Sequence, residues 1–287
     1  MRLFRSVAAT TVAVSALLLA GSQAYAAEAA PGTAPAARPA AAPGADFTGI
    51  AALSNCSASL VRYAESLSTD PALVLTNGHC YEGGMPSPGQ VIVNRSSSRN
   101  ITLLKPSSSN AGTVRANRVL YSTMTKTDVT LYRINESYAS IKSRLNVTPL
   151  TLAKQAPANG AGMAVVSGYW KRIYTCSVQA TIPELREGGW VFKSSIKYQQ
   201  PGCETIGGTS GSPIVSTTTG EVIGVNNTGN EDGERCTLNN PCEVDANGNI
   251  TVDQGAAYGQ QTWWFYTCLT ASRTLDLNKT GCLLQKP

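Results

Sequence analysis

The chain has 287 residues, 42% hydrophobic and 14% charged, with eight cysteines and one histidine. That balance excludes wholesale disorder, and a single histidine with no C-x-x-C spacing excludes the common zinc sites. The formal net charge of +5 includes no Lys/Arg run, so no nucleic-acid partner is expected.

Arg2 and Arg5 form a basic start, an apolar stretch follows from Val7 to about Gly21, and Ala24-Tyr25-Ala26 has the small-x-small pattern of a cleavage site. Residues 1–26 therefore read as a secretory signal peptide, too short for a comfortable membrane span. The expectation is an extracellular protein with no membrane association once the signal is removed. Residues 27–46 are Ala/Pro-rich and read as a linker or short propeptide. The folded part, 47–287, then holds all eight cysteines. In an exported chain an even count suggests up to four disulfides.

Short runs rich in Val, Ile, Thr and Tyr follow one another between Gly, Pro, Ser and Asn. They predict strands over 72–75, 91–94, 101–104, 128–134, 163–168, 190–198, 213–216 and 221–226. No long stretch has a helical period. Residues 262–275, with Trp263, Trp264, Tyr266 and Leu269, fit a strand or a terminal helix. The pattern favours an all-β sandwich or barrel. The polar, Ala- and Gly-containing stretch 154–162 joins two β halves, about 47–155 and about 160–287.

Three segments carry chemistry: Leu75-Thr76-Asn77-Gly78-His79-Cys80, Thr127-Asp128-Val129-Thr130-Leu131-Tyr132 and Gly207-Gly208-Thr209-Ser210-Gly211-Ser212-Pro213. A serine hydroxyl becomes a competent nucleophile when a base removes its proton, and imidazole titrates in the right range. A buried carboxylate fixes the imidazole tautomer. Glycines beside the serine permit a tight turn whose N–H groups can face an oxyanion. His79 has no competitor, and Asp128 is the only aspartate between it and Ser210.

In these three boxes the sequence resembles the chymotrypsin-like (trypsin-like) serine peptidases, particularly the secreted bacterial members. Residues 76–80 match the family's His box, 128–131 its Asp box and 208–213 its Ser box, in the family's order. The resemblance implies an all-β fold of two packed six-stranded β-barrels with the active site between them. It assigns His79 as general base, Asp128 as its orienting acid and Ser210 as nucleophile. The N–H groups of Gly208 and Ser210 would form the oxyanion hole. It also implies a Cys56–Cys80 disulfide beside the histidine. The other six cysteines are expected to pair as sequence neighbours: Cys176–Cys203, Cys236–Cys242 and Cys268–Cys282.

Two departures stand out. No Ile-Val-Gly-Gly start is visible near Phe47, and Thr209 stands where the family's zymogens carry an Asp, so no trypsinogen-type activation is expected. Glu204 falls six residues before Ser210, where trypsin carries the acid that reads Lys or Arg. It is either a pocket carboxylate favouring a basic P1 residue or a solvated loop residue beside Cys203. The pocket wall is expected near Asn227–Gly229. Asn226 stands where glutamate-specific relatives place a histidine, which disfavours that specificity.

The remaining features have plain readings. Asp245-Ala246-Asn247-Gly248-Asn249 reads as a polar turn, lacking EF-hand spacing. The aromatics at 263–266 read as core, and the Asn-x-Ser/Thr sites at Asn94, Asn146 and Asn249 carry no assignment. The expectation is a secreted, monomeric serine endopeptidase acting on protein or peptide substrates, needing no metal or organic cofactor. The alternative is a non-catalytic secreted binding protein on the same scaffold. A related esterase would use the same machinery.

Overall fold

The structure, a computed structural model, describes residues 45–287. The expected signal peptide, 1–26, lies outside the described residues, as does the expected linker 27–46 except for its last two positions.

The first half holds eight strands: β1 (Ile50–Ala52), β2 (Ser57–Arg62), β3 (Pro71–Thr76), β4 (Val91–Ser96), β5 (Asn100–Leu104), β6 (Asn110–Thr123), β7 (Val129–Ser137) and β8 (Leu150–Thr151). Six of them close a ring, β1-β5-β6-β7-β3-β2 and back to β1, with β4 added on β6 and β8 on β2. The second half holds β9 (Gly162–Ser167), β10 (Arg172–Glu187), β11 (Trp190–Tyr198), β12 (Pro213–Ser216), β13 (Val222–Gly229), β14 (Cys242–Val244), β15 (Ile250–Thr251) and β16 (Ala257–Gln261). Pairing of β10 with β11 closes a second six-membered ring, β11-β16-β13-β12-β9-β10, from which β14 and β15 extend. The segment 154–162 runs between the two barrels. Closure removes the open edges that a twisted sheet would otherwise expose.

Alternation along β3 and β7 explains how the barrels pack. Ala72 and Val74 point into the first barrel beside Tyr132 and Ile134. Leu73 and Leu75, with Val129 and Leu131, point the other way and meet Val222, Val225, Trp264 and Phe265 of the second half. These strands are apolar on both faces, which is why they read as continuous hydrophobic runs rather than as clean alternation. The aromatics at 263–266 are therefore largely inter-barrel core.

Among the described residues two helices interrupt the strands. Helix α1 (Tyr138–Leu145) starts at Ser137, whose hydroxyl accepts the Ser140 N–H at 3.2 Å, and stops at Asn146, with φ +55°. Helix α2 (Trp264–Thr267) settles the strand-or-helix choice over 262–275 as a single short turn of helix. Four disulfides close loops of 24, 27, 6 and 14 residues: Cys56–Cys80, Cys176–Cys203, Cys236–Cys242 and Cys268–Cys282. Asp245 sits in a polar turn between β14 and β15, its Oδ1 accepting the N–H groups of Asn247 and Asn249.

Candidate active site

Each of the three boxes sits at a strand end: the His box follows β3, the Asp box begins β7 and the Ser box leads into β12. After β3, the N–H of Cys80 donates to Asn77 O at 3.3 Å and that of Tyr81 to Gly78 O at 3.0 Å, wrapping the chain around His79. The Cys56–Cys80 disulfide ties this turn to the start of β2. The sulfurs of Cys56 and Cys80 lie near the His79 ring nitrogens, but bonded to each other they offer no thiolate for a metal.

Asp128 immediately precedes β7 and its side chain is fully buried. Its Oδ1 accepts the His79 backbone N–H at 2.9 Å and its Oδ2 lies 2.6 Å from His79 Nδ1. The ring keeps 18% of its exposure, so its second nitrogen can meet a ligand in the cleft. Burial works against the charged imidazolium. The charge and hydrogen bond of Asp128, with a smaller push from Glu187, outweigh it and hold His79 above its ordinary value.

Ser210 lies in a loop pinned from several sides. The N–H of Thr209 donates to Ile206 O, that of Gly211 to Asn226 O and that of Ser212 to Thr209 O, while Ser210 O accepts the Ser57 N–H at 2.8 Å. Among the described residues, the N–H groups of Gly208 and Ser210 have no such partner. Trp170 Nε1 donates to Gly207 O at 2.8 Å. In a trans peptide the following N–H points the opposite way, so the Gly208 N–H faces away from Trp170. Gly208, at φ +87°, occupies backbone space that glycine adopts without strain. The Ser210 hydroxyl donates to Asn227 O at 3.4 Å rather than to the imidazole.

His79, Asp128, Ser210, Glu204, Asn227 and Gly229 all line one cleft between the barrels. Glu204 is exposed there, its Oε1 accepting the Gly202 N–H at 2.9 Å. Asn226 is buried and bridged to Tyr198 and Thr209. Thr209 in turn donates its hydroxyl to Ile206 O at 2.6 Å.

Two residues at the site, one buried behind the cleft and one lining it, carried no assignment from the sequence. Asn77 is fully buried; its Nδ2 donates to Asp128 O at 2.8 Å and its Oδ1 accepts the Gly211 N–H. One amide thus links the histidine turn, the aspartate and the residue after Ser210. Glu187 lines the cleft from the end of β10. A Gly188-Gly189 turn, with φ +52° and +98°, brings the hairpin back as Trp190 and fixes Glu187 at its tip. In the sequence Asn77 is simply the residue before Gly78-His79, and the one local signal at Glu187 is the Gly188-Gly189 pair that follows it.

Residues 58–225 match the trypsin-like peptidase domain, a span that contains His79, Asp128 and Ser210. The chain belongs to the trypsin-like peptidase family. No curated protein matches this trypsin-like peptidase. Among solved structures it is similar to the MamO protease domain from Magnetospirillum magneticum, at 12% identity over 80% of this chain and 97% of that one, with a TM-score of 0.46. It is also similar to a Glu endopeptidase, at 15% identity over 78% and 89%, TM-score 0.46. A Nocardiopsis protease aligns at 14% identity over 76% and 93%, TM-score 0.43.

Proposed function

We propose that this peptidase is an exported serine endopeptidase in which His79, Asp128 and Ser210 form the catalytic triad. The observation that carries the reading is the buried carboxylate of Asp128 against His79 Nδ1 at 2.6 Å, in the cleft that also holds Ser210. That bond commits Nδ1 and leaves Nε2 as the proton acceptor.

Turning the Ser210 hydroxyl from Asn227 O toward Nε2 starts the reaction. Ser210 Oγ bonds to the substrate carbonyl carbon while its proton passes to His79. The carbonyl oxygen takes the negative charge, met by the unpartnered N–H groups of Gly208 and Ser210. The C–N bond then breaks, the departing amine takes the proton from His79, and an acyl ester remains on Ser210. Water, deprotonated by His79, attacks that ester and releases the acid with the proton returning to Ser210.

A basic P1 residue is favoured by Glu204 in the cleft wall beside Asn227 and Gly229. Thr209, hydrogen-bonded to Ile206 and Asn226, fits an enzyme without a trypsinogen-type switch. The signal-like residues 1–26 and the four disulfides support export into an oxidising compartment. Among the described residues no helix is long and apolar enough to cross a membrane. Cleavage of a peptide library by the wild type, absent in Ser210→Ala, tests the assignment. Equal cleavage by the variant contradicts it.

A further inference from the structure

Glu187 is a carboxylate only 6% exposed, yet no Lys or Arg pairs with it among the described residues. Buried charges are ordinarily paired, because desolvation otherwise penalises them. Its Oε1 is occupied, accepting the Thr228 hydroxyl at 3.0 Å and the Asn239 N–H at 2.8 Å. Among the described residues its Oε2 accepts nothing, and it is not among the buried atoms sealed without a partner, so it keeps access to the cleft. Burial raises the carboxyl above its ordinary value, and the donors from Asn239 and Thr228 counter that rise.

The surroundings point to a cation. Among the described residues the cleft lining contains Asp128, Glu187, Glu204 and Glu231 and no Lys or Arg, in a chain whose 23 Lys and Arg outnumber its 18 Asp and Glu. Asp128 is already committed to His79, and Glu204 and Glu231 are exposed. Glu187 alone combines a fixed position with an open, poorly solvated oxygen.

Its place in the cleft says which part of a substrate it meets. β13 pairs with β12 only as far as Val225 and with β16 as far as Gly229. Residues 227–229, with Asn227 bulged and Thr228 and Gly229 paired, therefore run along β16 on one side only, and they line the cleft with Ser210. An extended peptide with its scissile carbonyl at Ser210 adds there as a further strand. Its side chains alternate, so P2 and P4 face away from the P1 pocket. Thr228, the middle residue of this edge, is the one that holds Glu187.

We infer that Glu187 is a specificity-determining residue that receives a lysine or arginine side chain of the substrate at P2 or P4, through the open Oε2. This rests on the serine-peptidase reading above and extends its substrate class from one basic residue to two. A guanidinium or ammonium there would supply the missing counter-charge in a charge-assisted hydrogen bond.

The test is a set of peptides with P1 fixed and P2 and P4 varied between Lys or Arg and uncharged isosteres, norleucine and citrulline. The readout is the basic-to-neutral ratio of kcat/KM. The wild type should prefer the basic residue by about 10- to 100-fold at P2 or P4, the range expected for one hydrogen bond to a charged group. Glu187→Gln, which keeps an acceptor for Thr228 and Asn239, should bring the ratio near one. A wild-type ratio near one at both positions, or a preference that survives in Glu187→Gln, overturns the inference. The wild-type ratio stands as a test even if the variant does not fold. Reaction of the wild type with a fluorophosphonate separates the two claims. A labelled enzyme with no basic preference overturns the role of Glu187 alone, and an unlabelled folded enzyme overturns both.

Discussion

The contact between Asp128 Oδ2 and His79 Nδ1 sets both the tautomer and the charge of the only histidine in the chain. A neutral amide in place of the carboxylate would let the wrong ring nitrogen carry the proton. Asp128→Asn should therefore lower kcat by about 10⁴-fold while the protein stays folded, as steady-state kinetics with a circular dichroism spectrum would show. A loss of only a few-fold would remove Asp128 from its role. The same pair fixes the pH dependence. His79 must be unprotonated to act as a base, and Asp128 and Glu187 together hold its proton more tightly than burial loosens it. The acid limb of kcat/KM should thus rise with pH through a midpoint above about 6.5, the ordinary histidine value. A midpoint below that value would mean that desolvation wins.

At the scale of elements, the turn after β3 leaves no room for change at Gly78. A Cβ there would lie 2.0 Å from Thr123 O and 2.8 Å from Asp128 Oδ1. Gly78→Ala should cost about 3 kcal/mol in denaturant unfolding, as overpacking of a rigid core does, and should displace the carboxylate and depress activity. Unchanged stability would mean that the turn yields more easily than its packing implies. The His and Ser boxes were legible only together with the Asp box, as three motifs in one peptidase family's order, since a lone His before a Cys or a Ser in a Gly-rich turn is ordinary. Asn77 and Glu187 were not, since an asparagine before a glycine and a glutamate before Gly188-Gly189 are ordinary turn chemistry. Their roles arise only when separate strands bring Asp128, Gly211 and Thr228 to them. Helix α1 escaped notice for a similar reason. It spans only eight residues, with Tyr138 and Ile141 as its buried positions, and its limits are set by Ser137 and Asn146 rather than by a sustained period.

Across the whole molecule, the β-rich composition announced the class, and the three boxes implied the two barrels. The ring closures lie beyond local sequence, because β1 with β5 and β11 with β16 join strands far apart in the chain and are paired by strand order and not by any motif. Among the strands it did announce, β3, β7 and β12 are largely apolar, with most of their residues buried. Strands β2, β6, β10 and β16 were blurred by small and polar residues. The packing of β3 and β7 against β13 and α2 brings the turns of both barrels together, and hydrogen bonds from Ser57 to Ser210 and between Asn77 and Gly211 cross that boundary. Such an assembly is expected to activate Ser210 above the other serines of the chain. The most direct measurement of that claim is intact-mass and peptide-level mapping after reaction with a fluorophosphonate. The account predicts a single adduct on Ser210, faster at pH 8 than at pH 5 and absent in Ser210→Ala. A folded protein that remains unlabelled, or is labelled equally in Ser210→Ala, would contradict it.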